Sequence, residues 1–233
     1  MMRLLMKVVF CLALWPAVLW AEVESNIPWG VEAVTGYRSE SVHRGFQVAD
    51  DVFDFQLETE VALSDEWTIN FGAWYATGTG TENDFSEVSG LAELRYDTKQ
   101  WSAGWMLGYR DFTETFIQDG WETGPFFTYH FNEDLDLRTE LLYDEGAESF
   151  YATVALSWSK ALNAKSFVAV KGGVSVVDDF YGSEGFHAAD LRFSYTYLVA
   201  PNVSFTPFVG TSLGLDDVAD DALFGGVWFE VTF

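Results

Sequence analysis

The chain has 233 residues, of which 36 are Asp or Glu and 12 are Lys or Arg, for a formal charge of −24. Such a balance repels nucleic acid and anionic headgroups. An aromatic content of 18% argues against a disordered acidic chain and for a fold with somewhere to place large rings.

Arg3 precedes and Lys7 interrupts a short apolar run from Leu4 to Leu19, and Ala21 is followed by Glu22. This is the layout of a secretory signal peptide over residues 1–21, with residues 22–30 as a polar lead-in to a single domain over 31–233. The sole cysteine, Cys11, falls inside the signal, so the mature chain is expected to hold no disulfide and no cysteine metal site. Removing residues 1–21 takes away Arg3 and Lys7 and no acid, leaving ten basic against 36 acidic residues and a charge of −26. After the signal there is no uncharged apolar run of about 20 residues, so no membrane-spanning helix is expected.

From Val31 onward apolar and polar residues alternate almost without interruption, with the period of a strand. The pattern predicts twelve strands: Val31–Arg38, Phe53–Leu63, Trp67–Tyr75, Glu87–Tyr96, Trp101–Arg110, Trp121–Phe131, Leu135–Asp144, Phe150–Trp158, Ser166–Val176, Ala188–Tyr197, Val203–Ser212 and Leu223–Phe233. Most run to 9–11 residues, the length a tilted strand needs to cross a bilayer, where strands of soluble sheets average about 5–6. Short links, such as Asn132–Asp134, alternate with longer acidic ones, such as Ser39–Val52 and Val177–His187. Five short and six long links suit an up-and-down meander with both ends of the chain on the short-turn, periplasmic side.

The faces decide between a membrane barrel and a soluble sandwich. In Trp67–Tyr75, Trp67, Ile69, Phe71, Ala73 and Tyr75 oppose Thr68, Asn70, Gly72 and Trp74. On the apolar faces, Trp67, Tyr96, Trp101, Tyr129, Phe131, Trp158, Tyr197 and Phe233 fall near the short turns. Tyr75, Tyr109, Trp121, Tyr143 and Phe150 fall near the long links. Two rows of amphipathic rings around an aliphatic band are the girdles of a transmembrane barrel. Pro125 and Pro207 interrupt this pattern in mid-strand and predict bulges or local irregularity.

The ending LFGGVWFEVTF places Phe229, Val231 and Phe233 on one face. It resembles the C-terminal signature of bacterial outer-membrane barrels, which their assembly machinery reads. VTGYRSESVHRGFQ resembles the opening of a group of poorly characterised Gram-negative outer-membrane proteins, through Tyr37, Arg38, Arg44 and Gly45. The resemblance implies a porin-like β-barrel in the outer membrane of a Gram-negative bacterium, in contact with its lipids and lipopolysaccharide.

For twelve tilted strands the radius is about 12 Å, enough for a narrow lumen. The inward charges include Glu58, Glu60, Glu93, Arg95, Arg110, Glu122, Asp136, Arg138, Glu140, Lys171, Asp190, Arg192 and Glu230, alongside Glu32, Arg38, Asp54, Glu87 and Asp144. So many charges require a wet or densely ion-paired interior. A water-filled passage satisfies that requirement, and so does a plugged barrel with a hydrated charge network. Glu93/Arg95, Asp136/Arg138/Glu140 and Asp190/Arg192 read as charge ladders, whether as a field across a constriction or as reinforcement of the wall.

The leading functional expectation is passive diffusion of small polar solutes, leaning toward cations and amine-bearing solutes because acids are in excess. A non-conducting structural or adhesive surface barrel comes second. An outer-membrane hydrolase is third, with His43 and His187 as its candidates amid Ser, Asp and Glu. The twelve-stranded outer-membrane phospholipase carries Ser and His on one strand, and no strand here has a His followed two residues later by Ser. No cofactor and no defined metal loop is expected, and nothing in the sequence fixes the oligomeric state.

Overall fold

A computed structural model describes residues 29–79 and 84–233. The expected signal peptide, and the lead-in as far as residue 28, lie outside the described residues. The strands are β1 (Trp29–His43), β2 (Phe46–Ala62), β3 (Trp67–Gly78), β4 (Ser86–Asp97), β5 (Trp101–Thr113), β6 (Gly120–Asn132), β7 (Leu135–Asp144), β8 (Ser149–Asn163), β9 (Ser166–Phe180), β10 (Ser183–Ala200), β11 (Val203–Gly214) and β12 (Ala222–Thr232). Each pairs antiparallel with its neighbours in sequence, and β1 pairs with β12 from Glu32↔Thr232 to Arg38↔Gly226, closing the ring. Closure leaves no unpaired edge, the condition for placing a sheet in hydrocarbon.

The alternation sorts residues as the pattern predicts. Trp67, Trp101, Tyr129, Trp158 and Tyr197 stand exposed on the outside near one rim, and Tyr75, Tyr109, Trp121, Tyr143 and Phe150 near the other. Neighbouring rings pack along each belt, as in Trp67 with Tyr96 and Tyr109 with Trp121, both at 5.1 Å between centroids. The start of β1 and the end of β12 meet at one rim, where the Phe233 amide donates to the Val31 carbonyl. We call this the terminal rim and the opposite one the loop rim.

Neither proline makes a bulge. Pro125 faces Trp105 and Pro207 faces Val227 in regular register. Pairing lapses only on the other side, where Gly124 and Pro125 have no partner on β7, and Thr206 and Pro207 none on β10, while the register on both flanks is unchanged. A residue without an N–H costs ladder bonds on one side only.

The two long links expected at Ser39–Val52 and Val177–His187 are instead mostly strand. β1 turns into β2 through Arg44 (φ 49°) and Gly45 (φ 87°), and β9 into β10 through Tyr181 (φ 51°) and Gly182 (φ 88°). Two successive positive φ values define the type I′ turn that matches the twist of a hairpin. Asn-Gly or Asp-Gly usually announces this turn, and Arg-Gly and Tyr-Gly hide it. The strands of these two hairpins run to 15–18 residues, well beyond the span between the aromatic belts.

Candidate functional site

The lumen is built from the inward face of every strand, and its charges are arranged unevenly. On the side from β1 to β7 the arginines are paired. Arg38 donates to Asp54 at 2.8 Å, Arg95 to Asp97 at 2.9 Å and Glu60 at 3.3 Å, and Arg110 to Glu122 at 2.8 Å and Glu87 at 3.3 Å. Arg138 on β7 reaches Glu140 at 2.6 Å and Glu93 on β4 at 3.0 Å, over the Phe126 ring. The ladders expected at Glu93/Arg95 and Arg138/Glu140 are thus joined into one network running from β2 to β7. Bidentate and shared guanidinium contacts of this kind fix geometry as well as charge.

The remaining predicted lumen residues fall outside that network. Asp136 pairs with His130 at 2.7 Å, Glu230 accepts from Ser204 at 2.7 Å, and Glu58 accepts from Gln56. Asp190 and Arg192, expected as a third ladder, form no ion pair with each other, because neighbours on one strand face lie too far apart unless their side chains lean together. Among the described residues neither Arg192 nor Lys171 has a carboxylate within 4.0 Å, although the two are directly opposed across β9 and β10. The nearest partner of Arg192 is the Trp228 ring, 5.0 Å below its guanidinium.

The β1–β2 tip lies across the loop rim. Arg44 extends over the lumen to ion-pair with Glu122 on β6 and Asp144 on β7, on the far side of the ring, and its guanidinium packs on the Tyr151 ring at 4.8 Å. Phe46 is buried against Phe180, Tyr181 and Phe116. The apolar cluster around it draws Val52 and Ala76 from β2 and β3, Phe112 from β5, Tyr151 from β8 and Val177 from β9. Members from opposite walls can touch only across the opening, so the two long hairpins form a cap. The Tyr181 hydroxyl accepts from the Gln118 amide, tying the second hairpin to the β5–β6 link.

His187, Ser183 and Asp216 come together under this cap. Nδ1 of His187 lies 2.8 Å from the Ser183 hydroxyl and 2.9 Å from Asp216, and Nε2 lies 2.8 Å from the Arg44 carbonyl. A hydrolytic triad needs one imidazole nitrogen for the serine and the other for the acid. Here one nitrogen serves both and the other holds a backbone carbonyl, while Ser183 itself donates to Asp216. His187 and Ser183 are also fully buried, so the trio fastens the tip of β1–β2 and offers no activated hydroxyl to a substrate. Gly45 permits the approach: a Cβ there would stand 2.8 Å from His187 Nε2. Burial opposes ionisation of Asp216, yet hydrogen bonds from Ser183, the Ala219 amide, His187 and the Val218 amide outweigh it and hold its carboxyl below the usual carboxylate range.

His43 ends β1 within the cap, its ring against Phe112 at 5.1 Å. Burial, aided by Arg110, Arg44 and Arg38, pushes its imidazole well below the ordinary value of 6.5. Sequence reasoning reached His43 and His187 only as candidate catalysts and missed Phe46, Phe180 and Ser183 altogether. The legible signal was the Gly after Arg44 and after Tyr181.

Beneath the tip lies a cavity of about 390 Å³ bounded by Arg44 and Gly45 above, by Lys171 and Arg192 on β9 and β10, and by Phe208, Phe224 and Trp228 on β11 and β12. Phe208 and Trp228 stack at 4.0 Å. Glu40 on β1 also borders the cavity, and its Oε2 is buried without a hydrogen-bond partner.

A closed up-and-down ring with an oily exterior, two aromatic belts and a charged interior is a transmembrane β-barrel of the bacterial outer-membrane type. No protein-family model matches the sequence, and no curated protein does. Solved structures do match. An outer-membrane channel from Pseudomonas putida F1 aligns with TM-score 0.57 at 10% identity, over 91% of this chain and 98% of that one. The NanC porin aligns with TM-score 0.56 at 11% identity, over 87% and 98%. The KdgM porin aligns with TM-score 0.54 at 9% identity, over 88% and 99%. At these identities the likeness establishes the fold, that of the twelve-stranded outer-membrane barrels.

Proposed function

We propose that this barrel is a passive channel of a Gram-negative outer membrane, oriented with its terminal rim toward the periplasm, through which small polar solutes diffuse. The observation that carries this reading is the 390 Å³ cavity lined by charged and aromatic side chains inside a ring whose outer face is apolar. A purely structural barrel has no use for unpaired charge around an internal void, since such charge costs stability wherever it lacks water or a partner. The structural neighbours named as porins or channels support the same reading.

Passage at the loop rim runs past the hairpin cap, so the cap rather than the mid-barrel sets the conductance. At the terminal rim Glu32, Glu58, Glu60 and Glu230 are in excess over Arg95, and this acidic approach favours cations and solutes carrying amines. The test is current through refolded protein in a planar bilayer under a salt gradient. A cation-leaning reversal potential is expected, with Glu58→Gln plus Glu60→Gln moving it toward zero. Silence at all voltages would overturn the channel, and an unchanged reversal potential in the double variant would remove the role given to these acids.

A further inference from the structure

In a chain with three acids for every base, a base without a carboxylate needs a reason. Arg38, Arg44, Arg95, Arg110 and Arg138 all have acid partners within 4.0 Å. Lys171 and Arg192 do not, and they face one another across β9 and β10, an opposition of like charges that weakens a sheet. Both line the cavity under the cap. One carboxylate on the same boundary has an unpartnered atom, Glu40, whose Oε2 is buried; Asp190, also on that boundary, is exposed to the lumen beside the basic pair and makes no ion pair within 4.0 Å. Every other charge on that boundary, Arg38, Arg44 and Glu140, is already ion-paired.

Unpaired charges of both signs on opposite sides of one void, Lys171 and Arg192 on β9 and β10 and Glu40 on β1, complement a solute that carries both signs. The stacked Phe208 and Trp228 supply an apolar platform between them. Four further properties bear on the fit. The basic pair presents several donors to a carboxylate, the geometry in which charge-assisted hydrogen bonds are strongest. Glu40 stands three strands away from Arg192 around the ring, on the other side of the aromatic platform. An ammonium bound there gains Coulomb energy from the Glu40 carboxylate, which has no basic partner within 4.0 Å. A cavity of 390 Å³ has the capacity for one small molecule of amino-acid size.

We propose that the cavity is a binding site for small zwitterions of the amino-acid class. The carboxylate meets Lys171 and Arg192, the ammonium meets Glu40 across the cavity, and the side group lies against the Phe208 and Phe224 rings that line it. The proposal rests on the channel reading for the route by which the solute arrives, and it names the class of solute. It also reconciles two opposed features: an acidic terminal rim that gathers amine-bearing solutes and a basic pair deeper in the lumen that receives their acid end.

The test is isothermal titration of the refolded barrel in neutral detergent with L-phenylalanine, and with two analogues that each lack one charge, 3-phenylpropanoate and phenethylamine. Phenylalanine is expected to bind, and each analogue to bind roughly tenfold or more weakly, the equivalent of one lost charge-assisted contact. Lys171→Glu and Lys171→Gln should each abolish the preference for phenylalanine over phenethylamine, and Glu40→Gln its preference over 3-phenylpropanoate. A β-sheet spectrum and heat-modifiable gel migration matching the parent establish that each variant is folded. Lys165→Gln, in the β8–β9 turn, should leave all three affinities unchanged. Equal affinity for phenylalanine and 3-phenylpropanoate would overturn the zwitterion in favour of a plain anion site. Absence of binding to any of the three would overturn the site itself. Bilayer current separates this from the channel reading: binding without current sinks the channel and keeps the site, and current without binding does the reverse.

Discussion

The two halves of the lumen wall solve the same problem in opposite ways. From β1 to β7 every arginine has a carboxylate partner, and the network joins strands that are not neighbours, as Arg138 joins β7 to β4. From β9 to β12 the wall is made of hydroxyls, as where Thr196 meets Thr206 at 3.0 Å, of stacked rings, and of two bases without acids. The first half is held in place by its own charges, while the second leaves charge available to whatever enters the lumen. A paired base is therefore the mark of a wall, and an unpaired base the mark of a site.

The largest effect expected from breaking this contrast is at Arg44. Arg44→Met leaves Asp144 unpaired and Glu122 with Arg110 alone under a dry cap, a change that costs about 3 kcal/mol. Urea unfolding in detergent should register the loss, and single-channel recordings should show a larger open current as the tip of β1–β2 comes free. Unchanged conductance would mean that the cap does not control passage.

A smaller effect is expected from acid. Unfolded, the His43 imidazole takes a proton near pH 6.5, whereas in the cap it stays neutral to well below that value. Above pH 6.5 neither state is charged and nothing is lost. As pH falls below 6.5 the unfolded chain binds a proton that the folded cap refuses, and stability declines. Unfolding midpoints measured from pH 7.5 to pH 5 should therefore fall, and His43→Leu, which keeps an apolar contact for Phe112, should flatten that slope. A slope unaltered by the substitution would assign the dependence to other groups.

The finest test sets Arg138 against Lys171, one charge from each half. Arg138→Met should cost about 1 kcal/mol, reduced from the buried-pair value because its side chain is one-third exposed to lumen water. Lys171→Met should change stability by no more than about 0.5 kcal/mol, or raise it, since it removes a like-charge opposition and no partner. Equal losses at the two positions would erase the distinction between wall and site.

Much of this was legible in the sequence because it is local. A period of two fixes which side chains face lipid and which face the lumen, and Trp67, Tyr75, Trp101 and Tyr109 mark the belts without reference to anything distant. The inward position of Arg138 and Glu93 followed in the same way, but their bond to each other did not, since it depends on which strands curve together. The cap was invisible for a related reason. Arg44 meets Glu122 and Asp144 at separations of 78 and 100 residues, and no local pattern carries such a contact. A run such as SESVHRGFQ, rich in polar residues, reads as a loop until the positive φ values of Arg44 and Gly45 show it to be a hairpin. Of the two outcomes that Pro125 and Pro207 predict, the structure shows local irregularity and no bulge, since each missing donor interrupts the ladder on one side of its strand without disturbing the register.

The seam between β1 and β12 sets an order of events as well as a shape. Every other strand finds its neighbour a few residues along the chain, whereas Glu32 must find Thr232. Contacts of that separation form late and slowly because loop entropy must be overcome first. Until then the meander is an open ribbon with two bare edges, each able to zip onto a foreign strand. Sealing the cylinder and becoming safe from aggregation are consequently one step, and it is the last.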